Sequence, residues 1–215
     1  MKTWLKGYLD KEGLIAIENQ VRIAEKKTGV EIVPMVVSRS STVGHLPLIL
    51  FPVLMLLYYV SGLDDLLNEQ YDQAWIFTTI WVLLSLALTR WLSSLPIMVR
   101  LLVSPMDRES QAMNRATTEF YENGLHSTQN SVGILLFISL HDHKAIVLAD
   151  KAIADKLPAD SWEHVIKRLL EGARQRKLSN GFQDAIELCV DLVKSDFPPN
   201  PRLGNELANQ LVIKD

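Results

Sequence analysis

Two groups of side chains in this chain have the chemistry to hold a divalent cation. His141, Asp142 and His143 are consecutive, and imidazole and carboxylate both ligate such ions. Successive residues of an extended strand point to opposite sides, so the three converge on one ion only where the chain turns. Without an ion, the triplet reads as the solvated turn of a hairpin, the reading favoured here because no second ligand-rich segment has metal-like spacing. The other group is Asp150, followed by Lys151 and Asp155. A carboxylate at a strand end beside a loop suits Ca²⁺ or Mg²⁺ held partly through water. Capping chemistry favours a simpler use, with Asp150 as the N-cap of the short helical turn KAIADKL.

No other catalytic pattern stands out. There is no glycine-rich phosphate loop ending in Lys-Ser/Thr, no GxSxG elbow and no HExxH pair. The single Cys189 sits among apolar positions with no activating base nearby in sequence, and reads as a small buried hydrophobe. No catalytic residue is therefore assigned, and no cofactor is expected beyond a divalent cation, Ca²⁺ or Mg²⁺.

The elements that must position these residues alternate between helix and strand. Leu14, Ile17, Val21 and Ala24 repeat at helical spacing over residues 11–27. Asp10 is placed to cap that helix, and Gly29 to stop it. Residues 30–38 form a β-branched run that predicts a strand, with Pro34 marking an edge or a bulge. A helix is predicted over 108–124, burying Met113, Ala116, Phe120 and Tyr121. Nearly all-apolar 131–140 predicts a central strand, and 144–150 a third strand joined to it through the His-Asp-His turn. Two amphipathic helices follow. Trp162, Val165, Ile166, Leu169, Leu170 and Ala173 line the first, and Phe182, Ala185, Ile186, Cys189, Leu192 and Val193 the second. Asp160 or Ser161 is expected to cap the first of these, and Ser179 or Asn180 the second. Strand, helix, strand makes a crossover, so strands one and two should be parallel and strand three antiparallel. The Pro-rich tail after Phe197 ends in a short apolar-patterned segment, ELANQLVIKD.

Between the first strand and the second helix lie two apolar stretches. Residues 40–63 contain 24 positions without a Lys, Arg, Asp or Glu, and residues 73–89 another 17. A bilayer core of about 30 Å takes about 20 apolar residues in helix. Spans are expected near 46–63 and 74–92, the second with Arg90 reaching the headgroups. Tyr58, Tyr59, Trp75 and Trp91 stand near span ends, where amphipathic rings anchor. The turn at 64–72 carries four acids and no Lys or Arg, whereas Arg39, Arg90, Arg100 and Arg108 flank the pair. The positive-inside rule then places both termini in the cytoplasm. Residues 94–106, interrupted by Pro96 and Arg100, read as an in-plane interfacial segment. The N-terminal residues show no signal peptide.

The expected organisation is thus a domain split in two, residues 1–41 and 106–215, around a transmembrane insert at 42–105. About 150 residues remain for one core. A net charge of −3 gives no field for nucleic acid. The basic run Lys167, Arg168, Arg174, Arg176 and Lys177 reads as a solvated face or, more sharply, as a surface for anionic lipid headgroups.

The run EIVPMVV after AEKKTG, then GILLFISLHDHKAIVLAD, then SWEHVIKRL and GFQDAIELCVDL, resembles the TPM domain family. The resemblance implies a three-layer α/β/α fold with a small mixed sheet. It also brings two activities described in that family, phosphatase and divalent-metal binding through acidic loops, which here would use Asp150 and Asp155 or the 141–143 turn. Other members act as accessory modules of membrane assemblies. The loop after strand three reads LADKAI where the family's is glycine-rich. The expectation is a membrane-anchored, non-catalytic interaction module at the cytoplasmic face, with the lipid bilayer and other membrane proteins as partners. The alternative is a metal-dependent phosphatase.

Overall fold

Asp10 starts the first helix, α1 (Lys11–Lys27), by accepting a 2.7 Å hydrogen bond from the Gly13 N–H. That satisfies one of the donors left open at a helix start. In this computed structural model, residues 2–40, 46–63, 65–66, 74–95, 104–127, 132–199 and 207–215 are described. The expected acidic turn at 64–72, apart from Asp65 and Leu66, and most of the expected interfacial segment at 94–106 lie outside them. By contact the chain divides into residues 1–41 with 109–215, and residues 42–108.

The first unit is built on a mixed sheet in the order β3-β2-β1-β4. β1 (Glu31–Val37) and β2 (Gly133–Ser139) run parallel, Glu31 opposite Gly133, joined through α4 (Pro105–Glu122). β3 (Lys144–Ala149) returns antiparallel, Ser139 opposite Lys144. β4 (Val212–Lys214), which the periodicity does not predict, adds parallel to β1 at Met35–Val37 alone. β1 is therefore not an edge strand, yet Pro34 is accommodated. The Glu31 N–H donates to β2, at Val132 O, and the Ser38 N–H to β4, at Lys214 O. Alternation between these neighbours puts the Pro34 nitrogen on the β4 side, where that ladder has not begun, and so removes no bond.

Both faces of the sheet are covered. On one, Ile32, Val36, Ile134, Leu136 and Ile138 pack with α1, α6 (Glu163–Arg174) and α7 (Leu178–Val193). On the other, Val33, Met35, Leu135 and Phe137 meet Ala112, Ala116 and Phe120 of α4. The buried stripe of α4 is rotated from the one expected. Ala112 and Glu119 are inside, while Met113 and Tyr121 are exposed. Glu119 is tolerated there because Arg115 pairs with it at 2.9 Å and Lys214 of β4 reaches it as well. The caps expected for α6 and α7 are not used. Trp162 and Lys177 hold those positions without side-chain bonds. Gly172 and Gly181 let α6 and α7 touch backbone to backbone, since a Cβ on Gly172 would lie 2.6 Å from the Gly181 Cα.

The second unit holds α2 (Leu46–Val60) and α3 (Ala74–Ser94). α2 is shorter than the predicted 46–63 span. The Ser61 N–H closes on Leu57 O and the Gly62 N–H on Tyr59 O, with Gly62 at φ +66°. A left-handed glycine just past the last turn is a helix stop. At 1.5 Å per residue, α2 is about 22 Å long and α3 about 32 Å. Among the described residues one helix, over Trp75–Ser93, is long and apolar enough to cross a bilayer.

Candidate functional site

The His-Asp-His triplet does form the β2–β3 turn, with His143 in the left-handed region at φ +50°. The turn is not uniformly solvated, however. His141 and His143 are exposed, whereas Asp142 is 8% exposed. Its Oδ2 accepts from the Ser40 N–H at 2.6 Å, the Ser40 hydroxyl at 2.8 Å and the Ser139 hydroxyl at 2.7 Å. A buried carboxylate is stable only when donors replace its water, and three do so here. Ser40 is also where the chain leaves β1 for the second unit. Asp142 thus latches that exit to the β2–β3 hairpin.

His141 serves the same junction. Its backbone N–H donates to Ser38 O at 3.0 Å, and its Nδ1 lies 2.7 Å from that carbonyl. A carbonyl only accepts, so the proton is assigned to Nδ1, leaving Nε2 as the basic nitrogen. Ser38, Ser40, Ser139, His141 and Asp142 do not make a nucleophile–base pair. The buried hydroxyls donate straight to the carboxylate. Although the Ser38 hydroxyl lies 3.3 Å from His141 Nδ1, that nitrogen carries the proton held by the Ser38 carbonyl and cannot act as base to it. On the same end of the sheet, Glu109 of α4 pairs with Lys144 at 2.8 Å, which holds the Glu109 carboxyl below the usual range. The chain therefore leaves the first unit at Ser40 and returns at Glu109 on one end of the sheet.

Asp150 lies at the opposite end. Its backbone N–H bonds Gly133 O, and its Oδ1 accepts from the Lys151 N–H at 2.7 Å as N-cap of α5 (Lys151–Ala154). Its Oδ2 is buried without a hydrogen-bond partner among the described residues. Asp155 closes α5 and is exposed. The structure thus separates the two sequence-predicted groups rather than joining them, and among the described residues no three His, Cys, Asp or Glu side chains cluster as a metal would need. Cys189 is fully buried, and burial pushes its thiol well above the usual range.

One carboxylate that sequence reasoning missed is strongly perturbed. Burial, then the neighbouring Glu31, raise Glu25 to about 8, against the opposing bonds from the Ile32 N–H and the Asn209 amide. The Asn209 Nδ2 donates to Glu25 Oε2 at 2.7 Å and so ties the C-terminal segment to α1. Two glutamates six residues apart, one ending a helix and one beginning a strand, are the sequence signal that could have shown it.

With the geometry in hand, the chain can be set beside known proteins. Residues 95–192 match the family model of the TPM domain. The matched stretch takes in α4, β2, β3, α5, α6 and nearly all of α7. α1 and β1 fall outside it, before residues 42–108 in the sequence. The fold is also similar to the NMR structure of BA42 protein from the psychrophilic bacterium Bizionia argentinensis. The TM-score is 0.59 at 17% identity, over 96% of this chain and 95% of that one. No curated protein matches the chain.

Proposed function

We propose that this chain is a membrane-anchored TPM-like domain acting as a non-catalytic interaction module, its anchor being the α2–α3 pair. One observation carries the anchoring: the pair has its polarity inside out. Leu48, Leu56, Val60, Ile80 and Leu83 are all more than half exposed, whereas Ser85, Thr89 and Ser93 are buried. The last three share a face with Thr78 and Trp81. Tyr58 of α2 stacks on Trp81 at 5.4 Å and bonds the Thr78 hydroxyl at 3.2 Å. A hairpin in water puts leucine inside and serine outside. Lipid favours the reverse, with small and hydroxyl residues between helices. The hydroxyls also satisfy themselves within α3, Thr89 donating to Leu86 O at 3.0 Å and Ser93 to Thr89 O at 2.7 Å.

On this reading α2 spans with residues beyond Val60 or by thinning the bilayer locally. The charge asymmetry between the acidic 64–72 turn and the flanking arginines favours termini in the cytoplasm. The accessory role is supported by the consumption of Asp142 and His141 in holding the chain exit. In-cell crosslinking followed by mild solubilisation of the full chain tests it. Specific membrane-protein neighbours are expected, and recovery of the chain alone under all growth conditions contradicts the role. The buried, unbonded Oδ2 of Asp150 is the observation favouring the second reading, a phosphatase using Ca²⁺ or Mg²⁺.

A further inference from the structure

The end of the first unit that receives the insert also gathers exposed cations. Asp215, next to Lys214 of β4, accepts from the Trp4 indole at 3.0 Å and pairs with Lys2 at 2.6 Å. Lys214 stands opposite Val37, three residues before Ser40. The segment from Lys2 onward therefore lies at the C-terminal end of β1. Two residues past Trp4 comes Lys6, and Tyr8 O accepts from the Leu178 N–H at 3.1 Å. That bond brings the α6–α7 turn alongside. Lys6, Tyr8, Arg176, Lys177 and Asn180 line a shallow pocket of about 300 Å³.

The charges at this end are sorted in a telling way. Lys2, Lys144 and Lys214 are all paired with acids. Lys6, Arg176 and Lys177 are exposed and have no ion pair among the described residues. Arg176 lies 5.8 Å from the Tyr8 ring centroid. The one acid lining the pocket, Asp10, is turned to the α1 amides as their cap. Three cations without ion pairs among the described residues, against the single Asp10 carboxylate, leave the pocket net positive, which suits phosphate oxygens.

We infer that Lys6, Arg176 and Lys177 form a contact surface for the phosphates of anionic lipid headgroups, holding the domain against the bilayer that anchors it. The inference rests on the anchoring proposed above. The same chemistry would fit a soluble phosphoester. The lipid is chosen because the insert leaves and rejoins the domain at this same end, at Ser40 and Glu109, so headgroups are the phosphates present at highest local concentration.

The test uses the full chain carrying Gln175→Cys, labelled with a fluorophore beside the patch; Cys189 is buried and does not compete for label. The protein is placed in vesicles of phosphatidylcholine alone, or of equal parts phosphatidylcholine and phosphatidylglycerol, each with a headgroup-borne quencher. Strong quenching is expected only with phosphatidylglycerol. It should fade as ionic strength rises from about 0.15 to about 1 M, where the screening length drops from about 8 to about 3 Å. Each lipid-facing cation is worth about fivefold, so K6Q/R176Q/K177Q should lower the docked-to-undocked ratio about a hundredfold. K26Q/K27Q, at the other end of α1, should change nothing. Equal quenching in both vesicles overturns the surface while leaving the anchor intact. Flotation with phosphatidylglycerol vesicles alone overturns the anchor and keeps the surface, and flotation with neither overturns both. Heat of binding from inorganic phosphate in neutral vesicles, lost in K6Q/R176Q/K177Q, would reassign the patch to soluble phosphoesters and overturn the lipid assignment.

Discussion

Replacing Asp142 with alanine should loosen the point where the chain leaves the domain. The carboxylate takes three hydrogen bonds from Ser40 and Ser139, both buried. The Ser40 N–H keeps an alternative acceptor in the Ser139 hydroxyl at 3.1 Å. The two hydroxyls lose theirs. Each buried donor without a partner costs about 1–3 kcal/mol, so the loss comes to about 2–4 kcal/mol after some rotation toward other acceptors. Hydrogen exchange on the full chain in micelles reads this locally. The amides of Leu140 and His141 bond Val37 and Ser38 carbonyls across the same junction. At about 1.4 kcal/mol per tenfold, their protection should fall by roughly 30- to 900-fold. Asp142→Asn keeps one acceptor oxygen and should lose about tenfold. A change below about threefold in Asp142→Ala would refute the latch and return the turn to a solvated loop.

The raised Glu25 gives a pH signature. Its folded value of about 8 lies above the ordinary 4.5, so the native state binds the extra proton and stability falls as pH rises between those values. Thermal unfolding of Glu25→Gln should lack most of that decline, and a parallel decline would show that other groups set it. Gly172→Ala drives a methyl onto Gly181 and should cost about 1–3 kcal/mol, seen as a lowered Tm; an unchanged Tm would mean the helices separate freely. If the phosphatase reading holds, Asp150→Ala abolishes Mg²⁺- or Ca²⁺-dependent hydrolysis of a phosphomonoester, and equal rates in both proteins remove Asp150 from any mechanism.

What was legible in the sequence was local. Asp10 and the Leu14–Ile17–Val21 spacing specify α1 within the segment itself, and the helix ends near the expected place. The stop, however, is Thr28 in extended backbone at φ −138°, its hydroxyl and N–H both donating to Ala24 O, and Gly29 is not left-handed. The parallel pairing of β1 with β2 follows from a crossover helix, and the antiparallel β3 from a turn too short for anything else. The misreadings involve distant partners. Glu119 looks like a surface residue until Lys214, 95 positions later, arrives to pair with it. Asp142 looks like a turn residue because Ser40, its chief donor, is 102 positions away. β4 is three residues long and gains its identity only from the open side of β1. The first expected span was set by composition, and composition carries no information about the left-handed Gly62 that ends the helix. The metal candidates were legible as residue types and in place: a parallel β1–β2 pair with β3 antiparallel puts the 141–143 turn at one end of the sheet and Asp150 at the other, and the strand pairing agrees.

The anchor is the claim on which the rest depends, and alkaline carbonate extraction of membranes from cells expressing the full chain tests it most directly. Peripheral proteins are stripped by that treatment, whereas a hairpin with leucine outside and serine inside must stay. The account predicts that the chain remains in the membrane pellet and that removal of residues 42–105 releases it. Recovery of the intact chain in the carbonate supernatant would contradict it.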